Sequence, residues 1–304
     1  MTQLLNALPG ALAQGLIWGV MAIGVYITYK VLDIADLTVD GSICTGAAVC
    51  TMLLLGGQSP WLALLCAVLA GVLAGAVTGL LHVGLGIPPI LAGILTQMVL
   101  WSVNLKLLGK ANQALPARTT PVLLSQMDVG GALPVLLGFC VVLVALLVLF
   151  FGTELGCALR ATGCNPVMSR AQGVNTGLMK IIGLALSNGV VALSGALLCQ
   201  YQGYTDVNMG RGAVVIGLAA VVIGQAVLGR RGGRMAVQLG GVILGAVIYY
   251  IVYQVIIFAG FDTDLLKMFS AVVVAVFLGA PHVKAQLKAR SRSKKGDSGH
   301  AENE

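Results

Sequence analysis

Runs of around twenty apolar residues with few or no charges recur along almost the whole chain, and that length matches the hydrocarbon thickness of a bilayer. Candidate crossings fall at 9 to 29, 41 to 56, 61 to 81, 88 to 108, 132 to 151, 178 to 200, 213 to 229, 235 to 258 and 266 to 281. That makes about nine, within a range of 8 to 10. A soluble globule would need a polar face on every helix, and 58% hydrophobic against 10% charged residues leaves too little polar surface for one. The fold class is therefore all-α, a polytopic transmembrane helix bundle, and the 41 glycines suit helices that approach closely in lipid.

The 18 basic residues set the orientation. Six lie in the segment 282–304 (Lys284, Lys288, Arg290, Arg292, Lys294 and Lys295), straight after an apolar run, where they read as a topology signal or a contact with anionic lipid. With that tail and the 153–180 loop in the cytoplasm, alternation places 13 basic residues inside against 5 outside. The expectation is a multi-pass protein with an external N-terminus and a cytoplasmic C-terminus. Residues 1–281 form its transmembrane domain, and 282–304 form a basic, disordered tail. The first ten residues lack a basic region, so the first helix is expected to be retained rather than cleaved. A net charge of +7 distributed in this way gives no reason to expect nucleic acid.

Between the fifth and sixth runs the character of the chain changes. Thr153 to Lys180 is polar, basic and broken by glycine and proline. Asn165 and Pro166 read as an N-cap and first helical position, so Gly163 is expected to end one short helix and Pro166 to Gln172 to form another, stopped by Gly173. With Arg160 and Arg170 this gives a small capped cationic helix presented to the cytosol.

Two other segments echo each other. Asp36 to Val49 and Asp206 to Ala219 each begin with an acid and carry a hydrogen-bonding residue two positions on, Thr38 and Asn208. Glycines and a helix rich in small residues follow. The topology puts the two copies on opposite sides, the pattern of an inverted repeat whose interrupted helices line a transport path. Asp36, Thr38, Asp40, Asp206 and Asn208 are the candidate path residues, and the acids read equally as helix caps at the interface. Phosphate-loop, nucleophile-elbow and zinc-helix motifs are missing, and no metal site is expected from His82, His282 and His300. The seven cysteines form no C-x-x-C pair and read as packing residues or free thiols. The chain is therefore expected to be no enzyme, with no cofactor of its own.

Arg160 to Asn175, followed by Gly183 to Gly203, resembles the permease subunits of bacterial binding-protein-dependent ABC importers, the family of the branched-chain amino acid and ribose permeases. Ile34 to Ser42 is similar to a stretch of the sugar-type members, with Asp40 in place of a glycine, and the tryptophan- and tyrosine-type subgroup is the nearer likeness. The resemblance implies a coupling helix at Arg160, Gly163, Asn165, Pro166, Arg170 and Gly173. It also implies a homodimer, or a heterodimer with a similar permease, in the bacterial inner membrane. Cytosolic ABC ATPase subunits would bind the ATP and Mg, and an external solute-binding lipoprotein would deliver the solute. An ion-coupled secondary transporter and a non-transport structural membrane protein are the rival classes.

Overall fold

The computed structural model describes residues 2–116, 120–228 and 234–258, together with three isolated positions beyond. The chain divides into a unit of residues 1–255 and another of residues 256–304. The expected span at 266 to 281, the Arg230-Arg231 turn and the 282–304 tail lie, those three positions apart, outside the described residues.

Among the described residues six helices are long and apolar enough to cross a membrane: α1 (Thr2–Tyr26, continued as a π-turn over Ile27–Val31), α3 (Pro60–Gly84), α4 (Pro89–Leu108), α5 (Val129–Gly152), α8 (Thr176–Gln202) and α10 (Met235–Phe258). Two further apolar helices, α2 (Val39–Leu55) and α9 (Ala213–Leu228), have only 17 and 16 residues, and α6 (Glu154–Cys164) and α7 (Pro166–Ala171) are shorter still. At 1.5 Å per residue the α2 and α9 helices reach about 25 Å, short of the roughly 30 Å of a hydrocarbon core. These lengths do not establish the full helical crossings expected at 41 to 56 and at 213 to 229, and each of the two helices is preceded by non-helical chain.

α8 is the axis of the bundle. α1, α2 and α3 all pack on it, and its apolar stretch is 72% buried, second to the 83% of α1 and well above the 22% of α5. The approach of α3 is set by Gly71, Gly75 and Gly79, one on each turn. A Cβ at Gly71 would strike the Asn188 carbonyl oxygen, and one at Gly75 that of Leu184. Backbone-to-backbone contact of this kind replaces the hydrophobic driving force that lipid does not supply. Polar side chains in the core are matched to backbone acceptors. Ser187 Oγ donates to the Gly24 carbonyl at 2.8 Å and Ser194 Oγ to that of Ile17 at 2.7 Å, which fixes α1 antiparallel to α8.

Contacts along α8 also give the heights of the two short helices. Ser42 in the first turns of α2 meets Asn188, halfway along α8, and Thr51 near its other end meets Thr205, just past the end of α8. α2 therefore starts in the middle of the bundle and runs parallel to α8. Gly217, in the first turns of α9, packs on Met21 and Val25 of α1, again at mid-height, while Gly224 packs against Gly241 near the start of α10. α9 thus runs the opposite way. At one end of the bundle the strands β1 (Asn112–Ala114) and β2 (Tyr204–Asp206) pair antiparallel. At the other end lie α6 and α7, where a Cβ at Gly163 would meet the Val31 carbonyl at the close of the first crossing.

Candidate functional site

The two short helices meet at their N-termini, and Asp40 joins them. It sits in the first turn of α2, yet its carboxylate accepts from the backbone N–H of Gly212 through Oδ2 at 2.9 Å and of Val214 through Oδ1 at 3.0 Å, at the start of α9. One negative charge thus lies at the positive ends of two opposed helices. Gly210 N–H closes the joint by donating to the Cys44 sulfur at 3.1 Å, and a Cβ at Gly210 would collide with the Asp40 carbonyl oxygen.

Asp36 and Thr38 lie behind this joint. The Asp36 carboxylate, 6% exposed, accepts from Thr38 N–H at 2.8 Å and from Asn188 Nδ2 at 2.8 Å. Ser42 Oγ donates to Asn188 Oδ1 at 2.6 Å, and the Thr38 and Thr78 hydroxyls share a 2.8 Å hydrogen bond. This network ties the entry of α2 to α3 and α8 and buries all its members. Asp206 repeats the local bond of Asp36, accepting from Asn208 N–H at 2.6 Å, but does so in the strand ribbon beside Asn112. The two acid-x-polar motifs therefore share a turn and differ in depth.

Of the five sequence-selected path residues, Asp40 and Asn208 border an open cavity of about 650 Å³ between α2, α4 and the 207–211 segment. Asp36, Thr38 and Asp206 are not among the residues lining it. Sequence reasoning passed over the wall supplied by α4, with Gln97, Trp101 and Asn104, and over Arg211 opposite. The amides at 97 and 104 were visible as polar interruptions of an apolar run, but nothing in the spacing marked which helix face they occupy.

The loop after α5 is built from three consecutive caps. Thr153 Oγ1 accepts from Gly156 N–H at the start of α6, and Asn165 Oδ1 accepts from Val167 and Met168 N–H at 3.1 and 3.0 Å at the start of α7. Asn175 Oδ1 accepts from Leu178 N–H at 3.1 Å at the start of α8. Pro166 takes the first helical position, and Gly173 turns the chain at φ 82°. Two details differ from expectation. α6 runs through Gly163 to Cys164, because the glycine serves to admit the Val31 backbone rather than to end the helix. Arg170 Nε donates to Thr176 Oγ1 at 2.8 Å, so this cation braces the loop, while Arg160 remains exposed beside Cys157 and Cys164. Val167 and Met168, 76% and 62% exposed, form the apolar tip of α7.

Residues 8–280 match the model of a family described as branched-chain amino acid transport system, permease component. The chain belongs to this permease family. It is 38% identical over 287 residues to the tyrosine transport system permease protein of Clostridioides difficile, an alignment covering 93% of this chain and 94% of that relative. An uncharacterized protein of Rickettsia prowazekii is 33% identical over 279 residues, covering 91% and 98%. The autoinducer 2 import system permease protein LsrC of Escherichia coli is 29% identical over 216 residues, covering 67% of this permease and 60% of its own length. No solved structure matches. The permease is thus an integral membrane component of a transport system for a small solute, as the resemblance implied, and its part in that system is transport rather than catalysis.

Proposed function

We propose that the permease forms the translocation path of a binding-protein-dependent ABC importer for an amino acid or a closely related solute. The carrying observation is the joint at Asp40, where the short helices α2 and α9 meet N-terminus to N-terminus beside an open cavity. Half-helices whose N-termini converge at mid-membrane are the arrangement by which inverted-repeat transporters line a solute path. On this reading the α2 and α9 regions are the two arms of an inverted repeat. The path residues are Asp40 and Asn208, with Asp36, Thr38 and Asp206 holding the broken segments in place. The cavity is open on one flank, which fits a second copy of the permease completing it. Residues 266–281 would add a ninth crossing.

The capped loop from Arg160 to Gly173 is the coupling element, docking by the exposed tip of α7 on a cytosolic ATPase that binds ATP and Mg. That places the N-terminus outside, the tail inside the bacterial inner membrane, and the solute-binding lipoprotein at the strand-ribbon end. The name of the tyrosine permease relative favours an aromatic amino acid as the solute. Reconstitution of the permease with a cognate ATPase and binding protein tests this directly. ATP-dependent accumulation of radiolabelled L-tyrosine inside vesicles is expected. Accumulation that follows an ion gradient and ignores ATP would overturn the ABC reading.

A further inference from the structure

Asn104 on α4 is 1% exposed, and neither its amide nitrogen nor its amide oxygen has a hydrogen-bond partner among the described residues. Buried amides are nearly always paired, because an unmade bond carries the whole desolvation penalty of the group. Asn104 lines the cavity beside Asp40. On the opposite wall Arg211 is exposed, and no carboxylate pairs with its guanidinium among the described residues. Both Asp40 carboxylate oxygens accept from the start of α9, and no ion pair joins Asp40 to Arg211. The rest of the wall sets apolar and aromatic Ile94, Met98 and Trp101 beside polar Gln97, Ser102 and Asn208.

We propose that this cavity is a solute waypoint within the membrane that holds one α-amino acid with an apolar or aromatic side chain. Arg211 takes the carboxylate in a two-pronged hydrogen bond, the geometry a guanidinium offers a carboxylate. The Asp40 carboxylate attracts the ammonium group, and the Asn104 oxygen, buried as it stands, accepts from it once the amide turns toward the solute. Trp101 and Met98 cover the side chain. At about 650 Å³ the cavity is of the size that single small molecules occupy. A cation, Arg211, and an acid, Asp40, on one cavity match the two charged groups of a zwitterion, which a neutral sugar lacks. This deepens the permease reading and rests on it.

Uptake of radiolabelled L-tyrosine and L-leucine by cells carrying the complete transport system tests the waypoint, comparing the wild type with Arg211→Gln and Asn104→Leu. Each variant is expected to lower uptake at least about tenfold, a difference of roughly 1.4 kcal/mol. Asn104→Leu should at the same time leave the melting temperature of the purified protein unchanged or higher, because it removes an unpaired buried amide. A merely structural Asn104 would not show that split. Normal uptake by both variants overturns the waypoint and leaves the permease reading standing. Failure of the wild type to move either amino acid overturns the reading of the permease as an amino acid importer, and the waypoint with it.

A second measurement is independent of the rest of the system. Ser102→Cys places a thiol in the same cavity, and its modification by a methanethiosulfonate reagent can be followed at that position by mass spectrometry. L-tyrosine should slow the modification, tyramine, which lacks the carboxylate, should not, and Arg211→Gln should remove the protection. Equal protection by tyramine would contradict the carboxylate assignment.

Discussion

Asp40 and Val214 belong to helices that run in opposite directions, and the Asp40 carboxylate accepts the Val214 N–H at 3.0 Å as its second bond after Gly212 at 2.9 Å. An N-cap supplied from a different helix does two things at once. It satisfies donors at the head of α9 that have no partner within the helix, and it locks the relative position of the two short helices. Asp40→Ala is expected to lower thermal stability in detergent by about 1 to 2 kcal/mol, the usual range for a lost cap, and to reduce uptake at least tenfold. Asp40→Asn keeps only one accepting oxygen and should fall between Ala and wild type in both assays. Wild-type uptake by the Ala variant would mean that the joint does not matter for the path.

Asn188 carries the network on the other side of the joint. It donates to Asp36 and to the Leu184 carbonyl, and accepts from Ser42. Asn188→Ala would strip the Asp36 carboxylate of one of its two bonds and leave the Ser42 hydroxyl unpaired in the core. A loss of about 2 to 4 kcal/mol is expected, since a buried hydrogen bond to a charged group contributes about 1.5 to 3 and an orphaned hydroxyl costs more. A thermal-shift series over Asn188→Ala, Ser42→Ala and the double variant checks this, and the effects should be non-additive because the residues share one network.

Much of this architecture is legible in the sequence. Hydropathy alone places the six long apolar helices and the two shorter ones, α2 and α9, close to their observed bounds, because buried or lipid-facing helices must be apolar along their length. Asn165-Pro166 announces α7, because cap and first-turn chemistry are local. What cannot be read locally is depth. Asp36 and Asp206 make the same turn, and only the packing of Asn188 against one and of Asn112 against the other separates a core residue from a ribbon residue. Likewise, the partner of Asp40 lies 172 positions away, and no periodicity in either segment points to it. The Asn104 wall was missed because an amide in an apolar run carries no mark of whether a helix or a cavity faces it.

The α3 glycines test the packing of the core. A Cβ at Gly75 would collide with the Leu184 carbonyl oxygen, a backbone atom that cannot turn aside. Gly75→Ala should cost about 1 to 3 kcal/mol, as overpacking does, and Gly75→Leu should prevent assembly of a monodisperse protein. Gly84→Ala provides the control, because a Cβ there meets nothing within 4 Å. Size-exclusion profiles and melting temperatures of the three variants separate close packing from a general intolerance of α3 to substitution.

The loop after α5 needs a probe that touches the docking surface without disturbing its scaffold. Gly163 is unsuitable, because any side chain there would drive into the Val31 backbone at the end of the first crossing. Arg170 is little better, being tied to Thr176. Val167 and Met168 meet the need: both are largely exposed, their backbone N–H groups are already held by Asn165, and Ser169 is the buried member of α7. The double variant Val167→Glu with Met168→Glu should insert and melt as the wild type does. Two charges in place of an apolar tip should reduce the ATP hydrolysis stimulated by the permease at least about tenfold, as loss of the few central anchors of an interface does. Cys157 and Cys164, exposed on the neighbouring α6, report which side this surface faces. An impermeant maleimide added outside intact cells should label neither, and should label both after the membrane is opened. Retention of full stimulated hydrolysis by the double variant would move the docking site off α7, and external labelling of Cys164 would turn the protein over in the membrane.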